Sequence, residues 1–574
     1  MLKKLLPCLG KYKKYAILTP IFVILEVILE ISIPFLMSKI IDVGVKNGDV
    51  DFILQTGGLM VLIAVFALLF GAIHGRFSAI ASVGFAKELR KKIFDKIQDF
   101  SFANIDKFTT PSLVTRLTTD VTNAQMSFMM IIRLLVRAPF MLISATIMAI
   151  TINPGLSLIF LFAIPILASA LFIVASKAFP RFKAMLKKYD NMNASVQENL
   201  IAIRVVKAFV REDYENKKFL DSAEAVRLAH FNAEKLLVWA MPIMQLTMYG
   251  SITAIFWFGG NLIIGEKMLS GELFGFITYS TQILVSLMMI SFVFVQIVLS
   301  RASVSRIIEI LDEEIDIRDD SNEDPEVKDG SVVFENVSFS YSKNKDNLVL
   351  ENINFEIKPG ETVGIIGGTG SAKTTLVQLI PRLYDVLEGR ILVGGRDVRD
   401  YKIKTLRDSV AMVLQKNVLF SGTIKDNLKW GNENATDEEI IEACKIAQAY
   451  DFIMSFPKGF ETELGQGGVN VSGGQKQRLT IARALLKKPK ILILDDSTSA
   501  VDTATDSKIR QGLKENVSDT TVIIIAQRIS SVSDADKIIV LDDGKINAIG
   551  THEELLATNS IYREVYESQQ KGVA

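Results

Sequence analysis

The sequence predicts an α-helical transmembrane domain fused to an α/β domain, and three observations lead to this fold class. The chain has 574 residues, which is too many for a single hydrophobic core. Long apolar runs are concentrated before about residue 300, and shorter apolar strands alternate with helical patterns after it. A polar, acidic stretch, DEEIDIRDDSNEDPEVKDG, separates the two parts. We therefore expect a transmembrane domain at residues 1–311, a linker at 312–330 and the α/β domain at 331–574.

Six apolar runs are long enough to cross a bilayer of about 30 Å, which takes about 20 helical residues. They lie near residues 15–41, 53–80, 125–150, 155–179, 238–263 and 273–298. Two of the connections, 81–124 and 180–237, are long, helical in pattern and rich in Lys and Arg. The positive-inside rule places them and both chain ends in the cytoplasm, so the six helices should have long cytoplasmic extensions. We expect the segments 107–120 and 206–215 to contact a cytoplasmic partner.

The composition narrows the functional classes. Lys and Arg together number 64, as do Asp and Glu, so the zero formal net charge gives no argument for a nucleic-acid partner. Hydrophobic residues make up 49% of the chain and the mean hydropathy is +0.30, which is high for a soluble protein. The only cysteines are Cys8 and Cys444, so no disulfide framework is expected. We expect a multi-pass protein of the cell's inner (cytoplasmic) membrane, embedded in the lipid bilayer.

The stretch GGTGSAKT, residues 367–374, fits the phosphate-binding loop G-x-x-x-x-G-K-[ST] (P-loop), except that Ala372 replaces the second glycine. The β-branched run ETVGIIG precedes it. Apolar residues at helical spacing follow it in KTTLVQLIPRLYD. A strand and a helix therefore flank the loop, which is the context that the motif requires. The alternative is an ordinary glycine-rich turn.

The loop residues have distinct expected roles. Gly367 and Gly370 let backbone amides turn toward phosphate oxygens, and the helix N-terminus adds partial positive charge. Lys373 would reach the β- and γ-phosphates of ATP, and the Thr374 hydroxyl would bind Mg²⁺. The methyl group of Ala372 should weaken this cradle without abolishing it. The expected nucleotide contacts in the loop are Gly367, Gly368, Thr369, Gly370, Ser371, Ala372, Lys373, Thr374 and Thr375.

A second element, ILILDD at residues 491–496, predicts a buried strand that ends in two aspartates. Asp495 can hold Mg²⁺ through water. Asp496 occupies the place where a glutamate would polarise the attacking water, and its side chain is shorter by about 1.5 Å. Because a general base must lie within hydrogen-bond reach of its proton, we expect slow hydrolysis with binding largely intact. Two solvated aspartates after an apolar strand are the alternative, and the upstream P-loop argues against it.

The stretch VSGGQKQRLTIARALL, residues 471–486, predicts a helix that opens with Ser472, Gly473, Gly474 and Gln475. The free amides of its first turn form another anion site. Because the same domain already has a P-loop, the economical interpretation is that this turn clamps ATP held by a partner domain. Two nucleotide-binding domains would then enclose two ATP molecules.

With these motifs in this order, the chain resembles a half-transporter of the ATP-binding-cassette (ABC) superfamily, of the exporter type with six helices fused to one α/β P-loop nucleotide-binding domain. The resemblance covers essentially the whole chain. It implies that Tyr341 stacks on adenine, that Gln415 contacts Mg²⁺, and that Asp502 belongs to a loop crossing to the opposite site. The family usually has a histidine that contacts the γ-phosphate after the last core strand, where this chain has Gln527.

Three departures thus fall on one site, Ala372, Asp496 and Gln527, whereas VSGGQ keeps its serine and both glycines. This pattern is similar to the degenerate-site subunit of heterodimeric bacterial multidrug exporters. The resemblance implies a second half-transporter chain that carries the missing glutamate and histidine, with hydrolysis mainly at the site headed by that partner. The alternatives are a poorly active homodimer, an ATP-binding regulator and an ATP-gated channel.

The sequence says less about the transported substrate than about the nucleotide site. Glu26 and Glu30 lie one helical turn apart in the first span and share a face. Charges at bilayer depth usually face a cavity or a partner. The two glutamates either attract a cationic compound, pair with arginines such as Arg133 or Arg137, or face water. By family analogy alone, the expected substrates are amphipathic small molecules, with lipids or peptides as alternatives.

Overall fold

The computed structural model describes residues 2–319 and 325–571, so residues 320–324 of the predicted linker lie outside the described part. The chain divides into two compact units. The first unit comprises Met1–Asp99 and Thr109–Glu313, and the second comprises Phe100–Phe108 and Glu314–Ala574. The first is helical and the second contains mixed β-sheet, which confirms the predicted fold class.

The first unit is built from α-helices, most of them much longer than those of a soluble domain. Its helices are α1 Leu2–Leu5, α2 Lys13–Lys39, α3 Val50–Gln98, α5 Thr110–Thr115, α6 Val121–Ile152, α7 Pro154–Ile201, α8 Ile203–Ala208, α9 Glu212–Leu237, α10 Ala240–Ile264 and α11 Ser270–Asp312, with α4 Phe102–Phe108 in the second unit. Among the short connections, Asp49 accepts a hydrogen bond from the Phe52 amide to cap α3. Asn153 caps α7 in the same way, with Pro154 at the first helical position.

In the described part of the chain, six helical stretches are long and apolar enough to cross a membrane. They are Leu6–Val45, Val50–Gln98, Thr110–Ile152, Pro154–Ile201, Glu212–Ile264 and Ser270–Asp312. Each contains one of the six predicted runs, which confirms their number and order. The helix Pro154–Ile201 has 48 residues, about 72 Å at 1.5 Å per residue. This length is more than twice that of a hydrocarbon core of about 30 Å, so the predicted extensions beyond the apolar windows are present.

Over residues 325–571 the second unit contains three sheets and a set of short helices. The strand orders are β2-β1-β4-β5, β12-β11-β3-β10-β9-β6 and β7-β8. The strands are β1 Val332–Phe339, β2 Leu350–Ile357, β3 Thr362–Ile366, β4 Glu388–Val393, β5 Arg396–Asp397, β6 Val410–Val413, β7 Gly422–Thr423, β8 Glu463–Leu464, β9 Ile491–Asp495, β10 Thr521–Ile525, β11 Lys537–Asp542 and β12 Lys545–Gly550. The helices are α4, α12 Lys373–Gln378, α13 Ile403–Ser409, α14 Ile424–Lys429, α15 Asp437–Ile446, α16 Tyr450–Ser455, α17 Gly473–Leu486, α18 Thr503–Asn516, α19 His552–Thr558 and α20 Ser560–Lys571.

The order of the six-stranded sheet brings the motifs together. β3, β10 and β9 are neighbouring parallel strands, so their carboxyl ends lie at the same edge. The P-loop follows β3, Asp495 and Asp496 are at the end of β9, and Gln527 follows β10. Ligands of open α/β sheets bind at this edge.

Two local predictions have different outcomes. The segments VVFENVSFSY and LENINFEI form the predicted antiparallel pair, β1 with β2. The helix after the P-loop is shorter than its apolar pattern predicts: α12 ends at Gln378, whereas the pattern continues to Leu383. Pro381 lacks an amide hydrogen and its ring excludes a regular helix through the preceding turn. The chain continues there as tight turns instead.

The segment Phe100–Phe108 follows a long membrane helix in sequence but packs within the second unit. The Phe102 ring contacts the Tyr384 ring edge-on at 6.0 Å, and the Tyr384 hydroxyl donates to Asp106 Oδ2 at 2.7 Å. Burial, with the hydrogen bond to Asp106, raises the pKa of Tyr384 well above its usual range. The predicted contact segment, 107–120, shares only residues 107 and 108 with the segment Phe100–Phe108. The apolar and acidic side chains that make the contact lie earlier in the chain.

Candidate functional site

The P-loop connects β3 to α12, and its shape depends on two glycines. At Gly367 a Cβ atom would lie 2.2 Å from a backbone carbonyl oxygen of β11. Gly370 has a φ of +87°, in the region that favours glycine. The Ser371 hydroxyl donates to the Gly368 carbonyl at 2.9 Å and closes the turn. The tip, which includes Thr369, is exposed.

Ala372 immediately precedes α12 with φ 68° and ψ 24°, a left-handed conformation. This conformation costs an L-residue about 1–2 kcal/mol, whereas glycine adopts it freely. The methyl group packs against the hydrophobic cluster beside the sheet. Replacing the glycine by Ala372 therefore costs free energy through the strained backbone. That the methyl group also interferes with the phosphate stays a prediction.

The Lys373 ammonium group lies inside the curl of the loop. It donates to the carbonyl oxygens of Gly367 at 2.9 Å and Gly368 at 2.7 Å. Burial lowers the pKa of Lys373, and the nearby carboxylates of Asp495 and Asp496 act in the opposite direction. A half-buried cation inside a ring of backbone groups suits the phosphate oxygens of a nucleotide.

Asp495 and Thr374 form a hydroxyl–carboxylate pair that fits Mg²⁺. Asp495 is only 1% exposed, and its Oδ1 accepts a hydrogen bond from the Thr374 hydroxyl at 3.1 Å. Its Oδ2 is buried and has no hydrogen-bond partner among the described residues. Burial raises the pKa of Asp495, and the hydrogen bond from Thr374 opposes this. Because an unpaired buried carboxylate oxygen is costly and oxygen ligands are those that Mg²⁺ prefers, this pair would hold the ion.

Asp496 is held by two side-chain amides. Gln527 Nε2 donates to Asp496 Oδ2 at 2.8 Å, and Gln415 Nε2 lies 3.4 Å from the same oxygen. Asp496 has a φ of +47°, which aspartate tolerates better than most residues. Both amides engage one oxygen of Asp496, the residue at the general-base position. The structure thus joins in one contact Asp496 and Gln527, two of the three departures noted in the sequence.

Tyr341 lies beside the start of α12. Its hydroxyl shares a hydrogen bond of 2.9 Å with the Thr375 hydroxyl, which fixes the ring next to the P-loop. Phe339 and Tyr384 contact the ring edge-on, at 4.9 and 5.2 Å between centroids. The side chain is half-exposed, so part of its surface is open for stacking on a base.

The Ser472 turn forms a regular helix start. The Ser472 hydroxyl accepts from the Gln475 amide at 3.3 Å, and the Gln475 side chain accepts from the Ser472 amide at 2.9 Å. Ser472 and Gly473 are exposed. At Gly474 a Cβ would lie 2.8 Å from the Ala500 carbonyl oxygen, so only glycine allows this approach. The turn is therefore shaped by its own hydrogen bonds and by the close approach of Ala500, and its first residues are open to solvent.

Asp502 caps the next helix, α18. Its side chain accepts from the Thr505 amide at 2.9 Å, and this hydrogen bond lowers the pKa of Asp502. Gln477, which sequence reasoning missed, connects the Ser472 turn to the Asp502 loop. Its side chain is buried, accepts from the Ala500 amide at 3.0 Å and donates to the Ser499 hydroxyl at 3.3 Å. A glutamine on the apolar face of α17 was the signal available in the sequence.

The first unit contains a cluster of charged and titratable side chains within its apolar helices. Arg137 pairs through Nη1 with Glu26 at 2.8 Å and through Nη2 with Glu30 at 2.6 Å. His74, which is 2% exposed, contacts the same Glu26 oxygen at 2.7 Å. The predicted pairing with an arginine is therefore present at Arg137, whereas Arg133 is exposed. His74 was missed, although the sequence offered a signal. His74, Ser78 and Ser82 are polar residues spaced four apart within an otherwise apolar helical pattern.

A cavity of about 380 Å³ lies beside this cluster, within the first unit. Glu30 and Arg137 form its charged part, and Met141, Phe274 and Met289 contribute apolar surface. Its size lies within the range of small-molecule pockets.

Comparisons with known proteins identify the family of this chain. Residues 16–301 match the family described as the ABC transporter transmembrane region, and residues 350–499 match the family described as ABC transporter. The chain belongs to the ABC transporter family.

Several relatives match along nearly their whole length. The uncharacterized ABC transporter ATP-binding protein YfiB of Bacillus subtilis (strain 168) is 38% identical, covering 99% of this chain and 98% of the relative. The putative multidrug export ATP-binding/permease protein YgaD of the same organism is 32% identical, covering 99% of each chain. An ATP-dependent lipid A-core flippase of Desulfotalea psychrophila is 34% identical, covering 93% of each chain.

A solved structure of a bacterial Atm1-family ABC exporter with ATP bound is similar to the whole chain. Its TM-score is 0.83, with 26% identity over 98% of this chain and 99% of that one. The protein is therefore an ABC exporter, whose ATP-binding domain implies ATP hydrolysis coupled to transport. Its architecture is that of a half-transporter, which suggests a dimer in a lipid bilayer.

Proposed function

We propose that the chain is one half of a heterodimeric exporter that moves amphipathic compounds out across the cytoplasmic membrane. The observation that carries the proposal is the contrast between its two nucleotide elements. The Ser472 turn is regular and open, whereas Asp496 is short and held by Gln527. In this arrangement the nucleotide-binding domain and both termini lie in the cytoplasm.

The chain's own site binds ATP and Mg²⁺ but hydrolyses slowly. Lys373 and the P-loop amides would bind the phosphates, and Thr374, Asp495 and Gln415 would hold Mg²⁺. Mg²⁺ supplies charge neutralisation at the phosphates. Asp496 is a weak general base, because its side chain is short and one oxygen accepts amide hydrogens.

The partner chain supplies the competent site. The Ser472 turn, with Gly473, Gly474 and Gln475, clamps ATP bound to the partner's P-loop, and Asp502 lies on the loop between the sites. Phe209 and Val210, in the predicted contact segment 206–215, are 73% and 80% exposed. Such exposed apolar residues are consistent with a surface that a partner domain covers.

The test is ATP turnover by this chain alone and with a half-transporter that carries the glutamate and histidine. We expect low turnover alone and high turnover in the pair, abolished when the partner's glutamate is replaced. Within this chain, Asp496→Glu with Gln527→His should raise turnover at its own site. The double variant Asp519→Glu with Gln570→His, at two exposed positions of the same unit, is the control. Brisk turnover and transport by the unmodified chain alone would contradict the heterodimer and favour the homodimer.

The alternative functions give different results. A regulator or ATP-gated channel would bind ATP without net uphill transport by the pair. The name of the flippase relative favours a lipid as the alternative substrate. A peptide exporter remains an alternative from the sequence, and substrate-stimulated ATP turnover distinguishes these classes.

We further propose that the transported amphipaths carry a positive charge. Two carboxylates, Glu26 and Glu30, share one guanidinium, so the cluster has a net charge of about −1 when His74 is neutral. Both terminal nitrogens of Arg137 are engaged, which disfavours an anion, whereas Glu30 remains partly exposed at the cavity. At reduced dielectric such a charge attracts an organic cation.

Glu30→Gln tests this charge preference. It should reduce ethidium transport about fivefold to tenfold and leave transport of a neutral amphipath unchanged. Glu266→Gln, at an exposed glutamate between α10 and α11, is the control. Equal loss for the charged and neutral compounds would contradict the cation site but not the exporter.

A further inference from the structure

The segment after β10, residues 526–531, carries Gln527 and is called the switch loop here. Arg528, the residue that follows Gln527, has an extended backbone, with φ −97° and ψ 128°. In an extended segment the carbonyl of one residue and the amide two positions later point to the same side. The Gln527 carbonyl and the Ile529 amide are thus presented together, as on the edge of a strand.

The side chain of Gln569 pairs with both groups. Its Oε1 accepts from the Ile529 amide at 2.9 Å, and its Nε2 donates to the Gln527 carbonyl at 2.7 Å. A primary amide offers a donor and an acceptor side by side and thereby replaces the missing strand partner. The backbone of the switch loop is therefore fixed on both sides of Arg528 by one side chain.

The helix that carries Gln569 is itself anchored. In α20, Tyr562 is fully buried and its hydroxyl shares a hydrogen bond of 2.7 Å with His552 Nδ1. The Tyr566 ring contacts the His552 ring at 5.5 Å. Positions 562, 566 and 569 share one helix face because they are spaced by four and three residues. Gln569 therefore extends from a packed helix, whereas its neighbour Gln570 is exposed.

We propose that Gln569 is a positioning residue for the switch loop and, through it, for the Gln527 amide. Gln527 is held by its side chain at Asp496 and by its backbone at Gln569. With the backbone contact removed, the loop is free to carry the amide away from its place at the γ-phosphate. The C-terminal helix thereby determines how well the site distinguishes ATP from ADP. This consequence rests on the proposed nucleotide site and on Gln527 facing the γ-phosphate there, at the position where the family usually has a histidine.

The test compares Mg²⁺-ATP and Mg²⁺-ADP affinities of the purified full chain. Gln569→Ala should weaken ATP binding about threefold to tenfold, and tenfold corresponds to about 1.4 kcal/mol. ADP binding should change less than about twofold, because ADP lacks the phosphate that Gln527 faces. Gln569→Glu should behave like Gln569→Ala or worse, since a carboxylate would face the Gln527 carbonyl. Gln570→Ala, the same substitution one position later on the same helix, should leave both affinities unchanged.

The ratio of the two affinities separates positioning from a purely structural role, which would weaken both nucleotides equally. Hydrogen exchange at residues 526–531 should become faster in Gln569→Ala and not in Gln570→Ala. Equal weakening of ATP and ADP, an unchanged ratio, or unchanged exchange would each overturn the proposal. If the unmodified chain binds ATP and ADP equally, Gln527 does not face the γ-phosphate and its proposed role fails as well.

Discussion

Ala372→Gly tests whether the P-loop stores backbone strain. Ala372 has φ 68° and ψ 24°, which costs an L-residue about 1–2 kcal/mol. Glycine removes that cost, but it adds conformational entropy to the unfolded chain, worth about 0.5–1 kcal/mol. A partly buried methyl group is also lost, which is worth a fraction of about 0.8 kcal/mol. The net gain from this single variant is therefore small.

A matched variant isolates the strain. Ala504→Gly makes the same chemical change at an exposed position in the regular helix α18. The entropy contribution is common to both variants, so their difference is the relief of strain minus the methyl contribution, about 0.5–1.5 kcal/mol. For a domain of this size 1 kcal/mol shifts the melting temperature by about 2–4 °C.

The assay is thermal unfolding of the full chain with Trp239 and Trp257 replaced by Phe, so that the fluorescence comes from Trp430, which lies in the second unit. We expect Ala372→Gly to melt about 1–6 °C above Ala504→Gly. Equal melting temperatures for the two variants would refute the reasoning, because they would show that position 372 carries no left-handed strain.

Three further predictions concern other parts of the chain. Burial raises the pKa of Cys444 to about 12 from its usual value near 9, so the native thiol should resist alkylation at pH 9 and react only after unfolding, in a variant without the other cysteine. Because the folded-state pKa is raised, this thiol's contribution to stability is complete below pH 9 and is lost as the pH rises toward 12. Arg137→Gln removes the cationic partner of Glu30, leaves Glu26 with His74 alone, and should lower stability by about 3–5 kcal/mol, measured as thermal unfolding of the first unit. Arg133→Gln, one turn away and exposed, should have little effect. Asp106→Ala removes the acceptor for the buried Tyr384 hydroxyl and should cost the second unit about 1–3 kcal/mol in chemical unfolding, whereas Asp106→Asn keeps an acceptor oxygen and should cost less.

Much of the fold follows from local patterns. The six spans are readable because a helix that crosses a membrane must be apolar over a fixed length. The P-loop is readable because glycines, lysine and a hydroxyl residue must occur at fixed spacing between a strand and a helix. The pairing of β1 with β2 follows from two adjacent strand patterns separated by a turn. In each of these, the residues that determine the structure are close in sequence.

The contacts that refine the site were harder to predict. The pairing of Asp496 with Gln527 joins residues 31 positions apart, and that of Glu26 with Arg137 was only one of several possibilities. Gln569 reaches the switch loop from 40 residues beyond Ile529. The end of α12 at Gln378 was missed because apolar periodicity continues past it, although Pro381 was visible in the sequence.

By itself the sequence determined how many helices of the described part are apolar enough to cross a membrane. It also predicted which residues carry the phosphate chemistry and where the chain departs from the family's usual residues. Tertiary structure alone decided that Asp496 and Gln527 contact each other, that an arginine and a histidine accompany the membrane glutamates, and that the C-terminal helix fixes the switch loop. The physical reason is that motifs and apolar periods are imposed by local backbone geometry. Side-chain partners between distant segments depend instead on which strands and helices become neighbours when the core closes.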